Sequence, residues 1–218
     1  MRRFLCLSLA LLSVWLMACD ASQTSTEFKD PKLTLKRVEV QSYFAAPWAG
    51  WPAAPPTPTP NPNLTTTVQY TPFPGAISVP MVLAFVWDVE NPNDQTVSLE
   101  QLKFTVEFEA APSKPNEYFA VNTPIIYEKQ FIPAKATNQV RVVTVMDSSV
   151  IPGNLLVTSG QRLVSIGFTN TTKLVQDWWA NIGDFKFGVK ASAGTADFKS
   201  ATGQSKIVTF DGKFGGGK

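Results

Sequence analysis

The sequence predicts an all-β sandwich, and three observations carry that prediction. Ile77, Val79, Met81, Leu83, Phe85, Trp87 and Val89 fill every odd position over thirteen residues, the period-two pattern of a strand with one face in a core. Short β-branched and aromatic runs recur along the rest of the chain, bounded by Pro, Gly, Asn or Ser, as strands joined by turns require. Helical periodicity is scarce, with one good candidate.

The body starts with a strand over 33–44. The strand over 77–90 follows, and because its even positions include Val82, Ala84 and Val86, its middle is expected to be covered on both faces. In the next run Leu102, Phe104, Val106 and Phe108 alternate, but Val97 and Leu99 have the opposite parity. A bulge near Glu100-Gln101 is needed to turn both sets inward. Further strands are expected at 125–132, 138–146, 161–168, 184–191 and 204–210. The helix candidate is "TNTTKLVQDWW", where Leu174, Val175, Trp178 and Trp179 recur at three- and four-residue spacing behind a Thr or Asn cap. "SSVIPGNLL" is expected to hold a turn of helix at most, because Pro152 and Gly153 interrupt it.

Ahead of the body, "MRRFLCLSLALLSVWLMACD" places two arginines before an apolar run that ends in small residues, the layout of a secretory signal over 1–18. Leu16-Met17-Ala18-Cys19 resembles the lipobox of bacterial lipoproteins. That resemblance implies a diacylglyceryl thioether on Cys19, cleavage before it, and a chain held by lipid on the extracytoplasmic side of the cell membrane. Two or more acyl chains make such an attachment stable where one is marginal. Residues 19–30 are polar and unpatterned and are expected to be a flexible tether. The body is expected over 31–214 as one domain, with residues 215–218 a loose tail.

Loss of residues 1–18 removes Arg2 and Arg3, leaving 17 basic residues against 17 acidic ones. A neutral chain has no general electrostatic hold on nucleic acid. Cys6 leaves as well, so no internal disulfide can form and the fold must stand on its core. About 190 residues suffice, burying roughly 70% of the unfolded surface.

Residues 45–76 fall outside the strand pattern. The stretch 45–80 holds 10 of the 17 prolines, and proline cannot donate to a ladder. It reads as a Pro-rich insertion in one domain. Trp48 and Trp51 sit at its start, either folded back as a lid or exposed as contacts for sugar, lipid or protein. Trp178 and Trp179 raise the same question. Neighbours on a helix point about 100° apart, so one of the pair is expected to be partly exposed and to offer an aromatic contact.

Chemistry is sparse. The chain has no histidine, which removes Ser-His-Asp triads and most zinc sites. Glu107 and Glu109 share a strand face, but solvent-facing glutamates on an amphipathic strand do so by default, and no Gly-rich phosphate loop is present. No catalytic residue, cofactor or metal site is expected. The Asn91-Pro92-Asn93-Asp94 stretch is read as a structural turn, with Asn91 closing an Asx-turn and Pro92 presetting φ. The alternative is calcium on Asp88, Glu90, Asn93 and Asp94, an ion that wants six to eight oxygens, but no Asp-x-Asp-x-Asp-Gly loop is present and acidic residues at strand ends are common.

The order "PKLTLKRVEV", a long alternating strand ending in Asn91-Pro92-Asn93, then "VSLEQLKFTVEFEA", resembles the water-stress and hypersensitive-response domain of the group 2 late embryogenesis abundant family. "FKFGVKASAG" and "QSKIVTFDGKF" are similar to that family's last two strands. The resemblance spans about 31–214, broken by the Pro-rich insertion and by "TTKLVQDWW". It implies an immunoglobulin-like or fibronectin type III-like antiparallel sandwich, often on a bacterial lipoprotein, with a protective role in desiccation stress and no enzymatic activity. The expected partner is the membrane through Cys19; an envelope protein or polysaccharide is the second. The alternative function is a binding module that recognises polysaccharide, lipid or a protein through Trp48, Trp51, Trp178 and Trp179.

Overall fold

The computed structural model describes residues 27–43 and 78–216. The signal segment, Cys19, Trp48, Trp51 and the whole Pro-rich insertion over 45–76 lie outside the described residues. The fold is an antiparallel β-sandwich. One sheet has the order β1-β2-β7, from β1 (Lys32–Tyr43), β2 (Pro80–Glu90) and β7 (Thr137–Asp147). The other has the order β4-β3-β8-β9, from β3 (Val97–Glu109), β4 (Tyr118–Asn122), β8 (Gly188–Ser200) and β9 (Ser205–Gly215). Two short strands, β5 (Ile125–Ile126) and β6 (Gln130–Ile132), share the β3 edge with β4. Three strands facing four is the fibronectin type III arrangement, in which each sheet lends one apolar face to a common core.

The long alternating run becomes the central strand of the smaller sheet. Ala84 and Val86, on the face away from the alternating core residues, are 0% and 1% exposed, so the middle of β2 is covered on both sides. On β3 the pairing with β8 slips between Leu99 and Gln101. That bulge brings Val97 and Leu99 inward with Leu102, Phe104, Val106 and Phe108, all six of them buried. Trp87 stands edge-on to Phe104 and Phe210, with ring centroids 5.5 and 4.6 Å away, an arrangement aromatic quadrupoles favour. At Gly212 a Cβ would lie 2.6 Å from the Cβ of Leu35, so glycine is what lets β9 close against β1.

Two sequence expectations fail between β7 and β8. The run 161–168 is no strand, and "SSVIPGNLL" is more than one turn of helix. Helix α1 spans Ile151–Ser165 and α2 spans Thr171–Asn181. Pro152 lies in the first turn of α1, where its missing N–H has no intrahelical partner to lose and its fixed φ suits the helix. Ile151, Leu155 and Leu163 then share a buried face, with Gly160 among them. The side chain of Asn170 caps α2 by accepting from the Lys173 N–H at 2.9 Å. Among the described residues no helix is long and apolar enough to cross a membrane.

The two ends of the sandwich differ. At one pole β2 ends, β3 begins and the first described residues dock. At the other, β1 ends, β2 begins and the helices close the gap between the sheets. Ordered structure also starts earlier than the expected tether boundary. Phe28 is buried, and Lys29 gives its N–H to Asn93 Oδ1 at 2.7 Å while its carbonyl accepts from Asn93 Nδ2 at 2.9 Å. At the far end of the chain Gly215 pairs with Gly188, so it belongs to β9 and not to a loose tail.

Candidate functional site

The Asn-Pro-Asn stretch is where the chain crosses from one sheet to the other. Asn91 is fully buried. Its Oδ1 accepts from the Asn93 N–H at 3.0 Å, closing the Asx-turn, and also from Asn93 Nδ2 at 2.9 Å. Its Nδ2 reaches the carbonyls of Gln95, Ile132 and Pro133 at 2.9, 3.1 and 3.0 Å. One amide therefore holds together its own turn and the β6–β7 connection. Lys135 completes the clasp from outside, its Nζ 2.8 Å from the Pro92 carbonyl and 3.0 Å from Asp94 Oδ1. The Lys135 ammonium, hydrogen-bonded to Asp94, holds that carboxyl below the usual carboxylate range.

The carboxylates weighed as calcium ligands are spoken for separately. Asp94 pairs with Lys135, whereas Asp88 pairs with Lys36 at 3.3 Å and accepts from Gln139 at 3.1 Å. Glu107 and Glu109 also part company. Glu107 faces Lys190 at 3.6 Å. Glu109, expected to face solvent, is buried and accepts the N–H groups of Gly188 and Asn116 at 2.9 and 3.1 Å.

The tryptophan pair corrects the expectation of an exposed aromatic contact. Trp178 and Trp179 are 1% and 0% exposed. The 100° between neighbouring positions is real, but α2 lies across the open pole of the sandwich and meets both sheets. Trp178 turns to the larger one, donating its indole N–H to the Glu109 carbonyl at 2.8 Å and standing edge-on to Phe108 at 5.4 Å. Trp179 turns to the smaller one, donating to the Val79 carbonyl at 3.0 Å. Both indoles are thus satisfied inside the core, as is usual for buried tryptophans. Beside Trp178 a hollow of about 240 Å³ is bounded by Pro112, Phe168 and Phe187.

A larger concavity, about 560 Å³, lies at the opposite pole on the outer face of the larger sheet, and Lys129, Phe131 and Lys199 line it. Sequence pattern does not single these out. Phe131 sits in a strand-like run, and only its place on a three-residue edge strand leaves it 63% exposed.

No protein-family model matches the chain, and no curated protein does. Solved structures align with the chain at low identity. An X-ray structure of a Northeast Structural Genomics Consortium target aligns with a TM-score of 0.38 at 9% identity, over 85% of this chain and 86% of its own. A crystal structure of a protein from Archaeoglobus fulgidus aligns with a TM-score of 0.33 at 7% identity, over 64% and 87%.

Proposed function

We propose that this chain is a lipid-anchored, non-enzymatic β-sandwich on the extracytoplasmic face of the cell membrane, protective or structural at the envelope. The observation that carries the reading is Leu16-Met17-Ala18-Cys19 at the end of a short apolar run. The burial of Phe28 and the docking of Lys29 against Asn93 suit it. A chain leaving Cys19 meets a rigid mount at Phe28, nine residues after the cysteine, within about 30 Å of the lipid even when fully extended. The protective role rests on the order of motifs shared with the group 2 late embryogenesis abundant domain. Asn91-Pro92-Asn93 ends β2, and Leu99-x-x-Leu102-x-Phe104 fills the start of β3.

The test is Cys19→Ala in cells. The variant should stay as an unprocessed precursor and leave the detergent phase in which the wild-type protein partitions. Cells carrying only the variant should survive drying less well than wild type. Normal maturation and partitioning of the variant would sink the anchor, and equal survival of cells lacking the protein altogether would sink the protective role.

A further inference from the structure

The groove on the larger sheet is built from one cross-strand row. Phe131 on β6 pairs with Ser98 on β3, and Ser98 pairs with Lys199 on β8. Residues in register share a face of the sheet, so a phenyl ring, a hydroxyl and an ammonium stand side by side. Lys129 adds a second ammonium, its Nζ 5.5 Å from the centre of the Phe131 ring. Ser200 and Thr202, with hydroxyls 2.9 Å apart, form the rim where β8 turns into β9. Ser98 is 6% exposed and lies at the bottom.

These groups sort by chemistry. No acidic side chain is among the described residues that line the groove. Beneath the lining, Glu100 accepts from Ser98 and pairs with Lys129 at 2.8 Å, so the Lys129 charge is already matched. Lys199 has no ion-pair partner among the described residues. An exposed aromatic face offers a surface for the C–H face of a sugar ring, ammonium groups take its acid, and hydroxyls take its hydroxyls. A free inorganic anion would use the lysines and leave Phe131 idle. A flat bilayer would not reach Ser98.

We propose that this groove binds an acidic saccharide of the uronic acid class, its ring laid on Phe131, its carboxylate on Lys199, and its hydroxyls on Thr202. The site is separate from the tryptophan pair, and binding does not depend on Cys19.

Affinity electrophoresis of the full-length protein in detergent tests it, with polygalacturonate cast in the gel and neutral dextran as the comparison. Polygalacturonate should retard the wild-type protein and dextran should not. Phe131→Ala and Lys199→Ala should each weaken the retardation about tenfold, a change of about 1.4 kcal/mol, with unaltered melting curves. Phe131→Tyr should retain it. Absence of wild-type retardation, or equal retardation by dextran, overturns the proposal. So does loss of binding with Lys199→Ala but not with Phe131→Ala, which marks simple ion exchange. Binding to phosphatidylglycerol vesicles that needs Phe131, without retardation by polygalacturonate, would assign the surface to the membrane instead.

Discussion

Trp179 donates its indole N–H to the carbonyl of Val79, one hundred positions earlier in the chain, at 3.0 Å. The same carbonyl accepts from the Ser148 N–H at 3.3 Å, and Ser148 Oγ accepts from the Val79 N–H at 3.0 Å. The start of β2 is therefore fixed by both ends of the helical connection.

If these tryptophans are core residues, truncating either one costs stability. Trp178→Ala and Trp179→Ala should each lower the unfolding free energy by about 3–5 kcal/mol, measured by urea denaturation. Trp179→Phe keeps most of the volume and loses one hydrogen bond, so its cost should be about 1–2 kcal/mol. A tryptophan variant with wild-type stability would contradict the burial.

Asn91 is the most heavily bonded side chain of the inter-sheet corner. Asn91→Ala strands buried carbonyls and should cost about 2–3 kcal/mol. Asn91→Asp places a carboxylate against the three carbonyls that now face an NH₂ and should cost more. Thermal melts of the two variants decide the order, and adding calcium should rescue neither.

β1 and β2 stay paired up to Tyr43 and Met81, through two register shifts, so the ends of the long Pro-rich connection are already side by side. Deleting 47–62 should leave the sandwich folded with a stability change within about 1 kcal/mol, because loop closure depends only weakly on length. Far-UV circular dichroism and melting of the deletion protein check this. Loss of the cooperative transition would mean that Trp48 and Trp51 serve the core.

Asp147 lies at the corner between β7 and α1. Burial pushes its carboxyl up, but hydrogen bonds from Ser149 and Ser78 outweigh this and hold it below the usual carboxylate range. A group with a lowered folded-state pKa contributes stability above its unfolded value and loses it as pH falls through the folded one. The melting temperature should therefore hold near neutral pH and drop between about pH 5 and 3. Asp147→Asn should start lower and fall less over that window, so the two curves converge in acid.

Most of the sandwich was legible because period-two burial writes itself into the sequence. The parity clash between Leu99 and Leu102 located a bulge, and the short polar side chains of Asn91 and Asn93 marked a corner. The helical connection was less legible. Pro152 reads as a breaker unless one knows that it starts a helix, and the run from Leu163 to Phe168 has the composition of a strand. The side-by-side tryptophans misled for a geometric reason. The 100° rule sends one neighbour to solvent only when a helix has a single buried side, and α2 lies between two sheets. Phe131 and Lys199 could not be paired from sequence, since they lie 68 positions apart and register alone brings them together.

The two bonds between Asn93 and the backbone of Lys29 also have a mechanical meaning. Tension arriving through the residues before Glu27 enters the fold at that clasp. Beyond it lies β1, twelve residues long and hydrogen-bonded lengthwise to β2. A pull on the N-terminal end, resisted by a partner held at the opposite pole, loads the rungs between β1 and β2 in shear, so they share the strain and do not unzip one at a time. The clasp at Asn93, with the Lys206 contacts to Phe28 and Asp30, lies ahead of that ladder in the path of the load.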